Sequence, residues 1–429
     1  MTSHLETFGV HRTDADGTLM MEDASLGDIA ERFGTPCFIY SKATLTAAFQ
    51  RLDGALKTAR KERPYLICYA VKANSNLAVL SLFAGLGAGF DIVSGGELMR
   101  VLEAGGDPRK VVFSGLGKTT AEMKLALEAD IKCFNVESES ELERLNGVAA
   151  ALGKRARISL RVNPDVDAKT HPYISTGLKN NKFGIAFDRA MHVYRRAATL
   201  ANIEIVGVDC HIGSQLTDDA PLQEAMGRIV ALADALAREG VFVHHICPGG
   251  GIGITYKDEG TIDLDVYARA LEASLGDREV ELLLEPGRVL VGNAGVLLSR
   301  VEYVKPTEAR NFLVIDAAMN DLIRPSLYQA YHEVQMVERA RPSITPRIYD
   351  VVGPVCESAD VLAYGRALAA SEGDIVAILS AGAYAFVMSS NYNSRPRATE
   401  IMIDGATATV VRRRETFDDL VTLERPQTI

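Results

Sequence analysis

The chain lacks the features that mark membrane proteins and secreted proteins. None of its apolar runs approaches the roughly 20 residues that a membrane-spanning helix needs. Its first residues, MTSHLETFGVHRTDADG, contain neither the basic segment nor the apolar segment of a secretory signal. We therefore expect a cytoplasmic protein with no membrane partner.

Clustered cysteines and an excess of basic charge are also missing. The six cysteines lie far apart, with no CxxC pair and no group of histidines, so the sequence predicts no metal site. Isolated cysteines in a chain of this size indicate reduced thiols, most of them in the core. The 46 Lys and Arg against 56 Asp and Glu give a net charge of -10. Because nucleic acids bind to basic surfaces, we expect no nucleic-acid partner.

Eight short β-type segments alternate with amphipathic helical segments from Tyr65 onward. They are YLICYAV, GAGFDIVS, VVFSG, KCFNVES, RISLRVN, EIVGVDCHIGS, VFVHHICPGGG and EVELLLEPGR. Eight such units within roughly 250 residues predict an α/β fold with a closed parallel (β/α)8 barrel of the TIM type. An open, doubly wound sheet is the alternative.

The pattern of predicted secondary structure changes after EPGR, where strand-like segments follow one another with few helices between them. Among these segments are RNFLVIDAAM, RIYDVVGPV and TEIMIDGATATVVRRR. The 429 residues are enough for two domains. We predict a barrel domain over residues 30–288 and a β-rich domain, sandwich-like or barrel-like, formed by residues 1–29 and 289–429.

Polar residues stand at the C-terminal end of strand after strand. A single lysine such as Lys72, in YAVKANSN, is most simply explained as a side chain that reaches solvent. In a barrel, however, these strand ends meet at one mouth, where catalytic groups gather, so the repeated pattern predicts a shared site. Its members are Lys72, Asp91, Ser94, Asn135, Glu137, Arg161, Asn163, His211, Ser214, Gly249 to Gly251, Glu285 and Arg288.

A glycine run suggests which cofactor this site binds. CPGGGIGI follows a predicted strand, and its backbone N–H groups can approach a phosphate closely, although a tight turn is the alternative. A phosphate opposite Lys72 suggests pyridoxal phosphate. Glu285 would then keep the pyridine nitrogen protonated, unless it forms a structural salt bridge with Arg288. His211 would pack on the ring, or else be a core histidine.

Eight motifs, in order over about residues 30–400, resemble those of the diaminopimelate decarboxylases. They are YAVKAN, FDIVSGGEL, HIGSQ, GGGIGI, EPGR, MNDLIRPSLYQAYH, GPVCESAD and GAYAFVMSSNYN. Members of that family are pyridoxal-phosphate enzymes with the alanine-racemase-type fold. The resemblance implies decarboxylation of meso-2,6-diaminopimelate to L-lysine and CO2, the last step of lysine biosynthesis.

The resemblance also implies a role for individual residues. Lys72 would carry the cofactor as a Schiff base, His211 would stack on its ring, Glu285 would pair with its nitrogen, and Cys356 would protonate the carbanion. Further cofactor contacts would come from Asp91, Arg161, Ser214, Gly250, Gly251, Gly287, Arg288 and Tyr384. Substrate contacts would come from Arg288, Arg324, Tyr328, Glu357 and Tyr384. Cys356 and Glu357 would reach the site from the partner in a head-to-tail homodimer.

Charge favours diaminopimelate among the possible substrates. Two arginines, Arg288 and Arg324, suit its two carboxylates, and Glu357 suits its distal ammonium. For Arg324 a surface ion pair is the alternative, and for Cys356 a buried filler.

Other functions stay open at this point. The first is decarboxylation of ornithine, arginine or carboxynorspermidine. The second is an amino-acid racemase, which Glu285 argues against. The third is a silent pyridoxal-phosphate carrier or an inhibitor-binding homologue, which the β-rich domain and the cysteine motif argue against. The composition of KTHPYISTGLKNNKFGI is compatible with a loop that closes over substrate.

Overall fold

The computed structural model describes residues 4–13, 17–167, 182–338 and 343–424. The chain forms two compact units, which we call the barrel unit and the β-rich unit. The barrel unit comprises Ala48–Ile254 and Gly260–Val289, and the β-rich unit comprises Met1–Ala47, Thr255–Glu259 and Leu290–Ile429. Among the described residues, no helix combines the length and the apolar composition that crossing a membrane requires.

The N-terminal segment builds a small antiparallel sheet and then a single strand. The sheet consists of β1 (His11–Arg12), β2 (Leu19–Met21) and β3 (Ala24–Ser25). Helix α1 (Leu26–Phe33) begins where the Ser25 side chain accepts a hydrogen bond from the Asp28 N–H. Strand β4 (Cys37–Ser41) and helix α2 (Lys42–Arg60) follow.

The described part of the barrel unit contains nine strands, most of them followed by a helix. The strands are β5 (Tyr65–Ala70), β6 (Gly89–Ile92), β7 (Val111–Phe113), β8 (Cys133–Val136), β9 (Ala156–Asn163), β10 (Ile185–Ala186), β11 (Ile203–Asp209), β12 (His245–Cys247) and β13 (Glu281–Leu284). The helices are α3 (Leu77–Gly85), α4 (Gly95–Glu103), α5 (Thr120–Glu128), α6 (Glu139–Ala151), α7 (Phe187–Ala198), α8 (Ala220–Arg238), α9 (Leu264–Leu275) and α10 (Arg288–Val291).

Eight of these strands close into a parallel barrel. Their order is β5, β6, β7, β8, β9, β11, β12, β13, and β13 pairs again with β5. The short strand β10 pairs only with β9 among the described strands. The eight strands are the eight segments chosen from the sequence, so the (β/α)8 prediction is confirmed.

Capping residues explain why helices begin soon after the strands end. The side chains of Asn76, Ser94, Thr119 and Ser138 each accept a hydrogen bond from a backbone N–H in the first turn of α3, α4, α5 and α6. Each side chain replaces the missing acceptor of a helix N-terminus. Ser94 and Ser138 lie in the turns directly after β6 and β8, so at these two places the turn that ends the strand also begins the next helix.

The cysteines serve mainly as small apolar groups. Cys68, Cys133 and Cys247 pack with Val112, Val206 and Leu283 in a cluster of buried residues contributed by six barrel strands. All six cysteines are free thiols, and five are buried while Cys356 is exposed.

The C-terminal part of the β-rich unit consists mostly of strands, as predicted. They are β14 (Gly295–Pro306), β15 (Asn311–Ile315), β16 (Val334–Met336), β17 (Arg347–Val352), β18 (Val361–Leu368), β19 (Ile375–Ile378), β20 (Thr399–Asp404) and β21 (Thr407–Arg412). Two short helices, α11 (Arg324–Tyr328) and α12 (Phe417–Val421), accompany them. The main strand order is β18, β17, β15, β14, β4, β20, β21.

Strand β4 is the reason that the β-rich unit extends to residue 47. It pairs antiparallel with β14 and parallel with β20, and all five of its residues are buried. The sequence placed the domain boundary near residue 30, which assigned β4 to the barrel domain. The division that the structure shows lies later because the hydrogen-bond partners of β4 come from the C-terminal third.

Candidate active site

Lys72 lies directly after β5 and pairs with a buried carboxylate on β6. Its Nζ atom is 2.5 Å from Oδ2 of Asp91, and the Asp91 side chain is fully buried while that of Lys72 is 36% exposed. In the parallel pair, Ala70 stands opposite Asp91, so the register places the two side chains together. A buried carboxylate fixes the ammonium more firmly than solvent would. Lys72 is therefore not merely a side chain that reaches solvent.

A second lysine near the strand ends, Lys118, is held differently. It follows β7, its side chain is fully buried, and its Nζ donates to Gly115 O (2.7 Å), Asn135 O (2.8 Å) and Glu141 Oε1 (2.8 Å). These three bonds use all three ammonium hydrogens. Lys118 is thus a structural clamp, and the sequence interpretation missed it. A lysine after a predicted strand was the available signal.

Glu285 follows β13 and accepts a hydrogen bond from Asn135. The Asn135 Nδ2 atom is 3.0 Å from Glu285 Oε1 and 3.0 Å from Ser114 Oγ, and all three side chains are buried. The amide therefore fixes the orientation of the carboxyl group. Asn135 was expected at the barrel mouth from the sequence, and the structure brings it into direct contact with Glu285.

Burial raises the pKa of Glu285 well above its usual range. The neighbouring charges of Asp91 and Asp209 raise this pKa further, whereas Lys72 and Arg161 oppose the shift. A carboxyl group in such surroundings holds a proton readily, or pairs with a cation that is buried with it.

Asp209 is a second buried carboxyl group that the sequence interpretation did not single out. It ends β11, and the Cys247 thiol lies beside its carboxyl oxygens as a hydrogen-bond donor. One of these oxygens, the Cys247 Sγ atom and a Glu285 oxygen all lie within 4.8 Å of one another. Burial raises the pKa of Asp209 to about 7, although the charge of Arg161 opposes the shift. A charged residue in the apolar strand segment IVGVDC was the signal.

Arg161 and Glu137 form a buried ion pair at the ends of β9 and β8. Arg161 Nη1 is 3.0 Å from Glu137 Oε1, which also accepts the Gly115 N–H at 2.9 Å. Burial lowers the pKa of Arg161, but Glu137 and the other carboxylates outweigh that effect and raise it. The guanidinium carbon also lies 4.9 Å from the centre of the Phe183 ring. Arg161 is therefore a fixed positive charge.

His211 is a neutral imidazole beside the glycine run. The Gly250 N–H donates to His211 Nδ1 at 3.3 Å, so Nδ1 carries no hydrogen. Burial lowers the pKa of His211 well below its usual value, and the charges of Arg161 and Lys72 lower it further. His211 lies two residues after the end of β11 and contacts the glycine run. The sequence predicted its position at a strand end.

The glycine run leaves no room for side chains. A Cβ atom at Gly250 would clash with the backbone of Glu285, and one at Gly251 would clash with the backbone of Gly213. Gly251 also has a φ of +98°, which favours glycine. Gly287, two residues after Glu285, is buried. The next residue, Arg288, donates from Nη2 to Ser214 Oγ at 2.9 Å. Tight backbone, a hydroxyl group and a guanidinium are the groups that bind phosphate.

Together these groups fit pyridoxal phosphate. The cofactor needs an amine for its aldehyde, a carboxyl group for its ring nitrogen and donors for its phosphate. Lys72, Glu285 and the segment around Gly250 supply groups of these kinds within one unit.

The remaining predicted site residues belong to the β-rich unit. Arg324 is buried, so it is not a surface ion pair. Cys356 is exposed, so it is not a buried filler; its N–H donates to Asn393 Oδ1 at 3.0 Å. Glu357, also exposed, accepts a hydrogen bond from the Tyr392 hydroxyl at 2.5 Å. Tyr328 and Tyr384 are half-buried. Residues 169–181 of the possible closing loop lie outside the described residues.

Two family models match the chain. The pyridoxal-binding domain of pyridoxal-dependent decarboxylases matches residues 43–292, and the C-terminal sheet domain of pyridoxal-dependent decarboxylases matches residues 241–382.

Individual proteins match over nearly the whole chain. The diaminopimelate decarboxylase of Pseudomonas aeruginosa is 58% identical over 94% of this chain and 96% of its own. That of Neisseria meningitidis serogroup A is 56% identical over 94% and 97%. The crystal structure of the Helicobacter pylori diaminopimelate decarboxylase complexed with L-lysine has a TM-score of 0.88 at 43% identity, covering 93% of this chain and 98% of the other. The M. jannaschii enzyme in complex with L-lysine gives 0.92 at 36%, covering 97% and 98%.

Proposed function

We propose a role in the reaction for each side chain of the candidate site. The chain belongs to the diaminopimelate decarboxylase family of pyridoxal-dependent decarboxylases. The chain is an enzyme that uses pyridoxal phosphate to decarboxylate meso-2,6-diaminopimelate, giving L-lysine and CO2 in lysine biosynthesis. The roles of individual residues, the homodimer and the cytoplasmic location are proposals.

Lys72 holds the cofactor covalently in this proposal, and the barrel mouth supplies the other contacts. Asp91 fixes the Lys72 ammonium before the cofactor attaches, as their 2.5 Å contact supports. Phosphate is bound at the segment of Gly250 and Gly251 by backbone N–H groups other than that of Gly250, which donates to His211. The phosphate contacts are completed by Ser214, Gly287, Arg288 and Tyr384.

When bound, pyridoxal phosphate accepts the electron pair that the departing carboxylate leaves on the substrate α-carbon. Glu285 holds the proton on the ring nitrogen, because a carboxylate stabilises the protonated form. Asn135 keeps the Glu285 carboxyl group aligned through its 3.0 Å hydrogen bond. His211 packs its uncharged ring against the cofactor, and Arg161 holds Glu137 in place beside it.

The substrate has two carboxylates and two ammonium groups, and it needs partners of both signs. Arg288, Arg324, Tyr328 and Tyr384 bind its carboxylates, since guanidinium groups pair with carboxylates bidentately. Glu357 binds the distal ammonium. The same residues argue against ornithine as the substrate, because ornithine has no distal carboxylate.

Cys356 donates the proton that replaces CO2, and it acts in the site of a second copy of the chain. Its exposure in the single chain supports this proposal, because an exposed thiol is accessible to a partner. The β-rich unit then contributes both to the dimer interface and to the active site. The six free thiols support a reducing, cytoplasmic location.

The single observation that carries the assignment is the Lys72–Asp91 pair at the barrel mouth. We expect the purified protein to absorb at about 420 nm and to lose that band on borohydride treatment. Peptide mapping should place the reduced cofactor on Lys72 and not on the fully engaged Lys118. A label on Lys118 would overturn the assignment.

A substrate panel tests the specificity. Release of CO2 should occur from meso-diaminopimelate in clear preference to ornithine, arginine and carboxynorspermidine. Comparable turnover of ornithine would show that the distal carboxylate is not recognised.

A further inference from the structure

Two buried side chains of the β-rich unit hold the guanidinium group of Arg324. Arg324 Nη1 is 3.0 Å from His332 Nε2, and the guanidinium carbon lies 4.7 Å from the centre of the Tyr256 ring. The His332 side chain is fully buried, and Arg324 and Tyr256 are nearly so. The direction of the guanidinium is therefore set by neighbours rather than by solvent.

The chain path after α11 brings His332 back to Arg324. Helix α11 ends at Tyr328 and is capped by Gln329, whose φ of 52° lies in the left-handed region and whose N–H donates to Arg324 O. The chain then reverses, so that His332, eight residues after Arg324, lies alongside it. His332 Nδ1 is at the same time 2.8 Å from the carbonyl oxygen of Leu379, directly after β19.

The partners of the imidazole fix its protonation. A guanidinium group can only donate hydrogen bonds, so His332 Nε2 must accept the bond from Arg324. The carbonyl oxygen of Leu379 can only accept, so Nδ1 must carry the hydrogen. His332 is therefore a neutral imidazole with one tautomer.

A neutral partner orients a cation without cancelling its charge. An aspartate or glutamate in the place of His332 would form an ion pair with Arg324 and compete with a carboxylate ligand. The imidazole instead fixes one nitrogen of the guanidinium, and the Tyr256 ring, 5.4 Å from the His332 ring and nearly perpendicular to it, supports both groups.

We propose that His332 is a positioning residue that sets how tightly Arg324 binds a carboxylate, and that it thereby favours substrates with a carboxylate at both ends. The inference rests on the proposed function, in which Arg324 binds a substrate carboxylate.

Two substitutions of His332 separate its two hydrogen bonds. The amide of glutamine can occupy the position of Nε2, so His332→Gln keeps an acceptor for Arg324. The amide of the shorter asparagine matches Nδ1, so His332→Asn keeps only the bond to Leu379. Both variants lose the ring, which makes their losses of packing similar. Melting temperatures report that shared loss.

We expect His332→Asn to raise KM for meso-diaminopimelate by about 10-fold or more with kcat within about threefold of wild type, since a hydrogen bond to a charged group is stronger than one between neutral groups. His332→Gln should stay within about threefold in KM. Calorimetry on the holoenzyme should show weaker binding of L-lysine to His332→Asn. Binding of cadaverine, which has no carboxylate, should not change.

The control is His245, a buried histidine of the barrel unit whose Nε2 lies 3.8 Å from Cys133 Sγ. His245→Asn should lower the melting temperature without changing the ratio of lysine affinity to cadaverine affinity. Equal KM values for the asparagine and glutamine variants of His332, or equal weakening of lysine and cadaverine, would overturn the inference. Arg324→Gln distinguishes a failure of the inference about His332 from a failure of the proposed role of Arg324. If it raises KM while His332→Asn does not, the inference fails and the proposed role of Arg324 stands; if it leaves KM unchanged, that role fails.

Discussion

At the scale of single residues, buried charges at the barrel mouth control one another. Asp91, Asp209 and Glu285 are buried carboxyl groups. The positive charges of Lys72 and Arg161 lower the pKa of Glu285, and that of Arg161 lowers the pKa of Asp209, against the larger effect of burial. Because water does not screen these groups well, the protonation of Glu285 and of Asp209 depends on the neighbouring charges. Substitutions that change one charge should therefore affect both activity and stability.

We expect Glu285→Gln to lower kcat by about 100-fold or more, because an amide does not stabilise a protonated ring nitrogen. Folding should persist, because the glutamine side-chain oxygen can still accept the Asn135 hydrogen bond. Steady-state CO2 release measures the effect, and the absorbance of the bound cofactor checks occupancy. Glu281→Gln is the matched control on the same strand. Glu281 pairs with Lys132 at 2.7 Å and is partly exposed, and its loss should change kcat by no more than about twofold. Unchanged turnover in Glu285→Gln would exclude this role.

Asp209 should make the enzyme less stable as the pH rises. Its pKa is raised from 3.8 to about 7, so the folded state retains a proton that the unfolded state has already released. This raises the cost of folding by ~1.4 kcal/mol per pH unit between about pH 4 and pH 7, and the cost is constant above that range. Asp209→Asn should therefore raise the melting temperature of the holoenzyme at pH 7 and 8 but have little effect near pH 4.

Thermal unfolding of wild type and variant across that pH range tests the prediction. Asp234 is the control, because its hydrogen bond with Arg278 lowers its pKa. Asp234→Asn should give no gain in melting temperature at any pH. A gain for Asp209→Asn that is the same at pH 4 and at pH 8 would contradict ionisation as the cause.

At the scale of elements, we expect the segment after β12 to determine whether the cofactor fits. Gly250 lies against the backbone of Glu285, and its own N–H contacts His211. We expect Gly250→Ala to lower cofactor affinity by about 10-fold or more, because backbone, unlike a flexible side chain, cannot move aside cheaply. Titration of the apoenzyme with pyridoxal phosphate measures the loss.

Gly147 in α6 is the matched control for this element. A Cβ atom there meets nothing within 4 Å, so Gly147→Ala should raise stability by roughly 0.5–1 kcal/mol with unchanged cofactor affinity. Equal cofactor affinities for Gly250→Ala and wild type would show that the close approach is not needed.

Elements with long-range partners were harder to place from the sequence than those of the barrel. The barrel strands could be identified because each is followed by turn residues and an amphipathic helix. Strand β16, Val334–Met336, is too short to show alternation, and its partner β19 lies far along the chain. The segment CFIYS is plainly apolar, but only its pairing with β14 and β20 assigns it to the β-rich unit.

At the scale of the whole molecule, the proposed homodimer makes a quantitative prediction. Lys72→Ala chains and Cys356→Ala chains should each be inactive. Random reassociation makes half of the dimers mixed, and each mixed dimer has one intact site of two, so activity should return to about a quarter of wild type.

Mixing the two purified variants under conditions that exchange subunits, with mass measurement of the assemblies, tests this prediction. Mixing Lys72→Ala with Glu285→Gln is the control. Both residues belong to the barrel unit, so each site of a mixed dimer keeps one defect whichever chain supplies Cys356, and activity should not return. No recovery in the first mixture, once mixed dimers are detected, would place Cys356 in the site of its own chain.

The sequence by itself determined the barrel, its eight strands and the polar residues at their ends. These follow from hydrophobic period, helix caps and turn residues, which act over a few neighbouring positions. Only the tertiary structure decided that Lys118 is a clamp, that Asp209 lies close to Glu285, and that His332 accepts a hydrogen bond from Arg324. Burial and distance between segments far apart in the chain set those properties, and local sequence contains neither quantity.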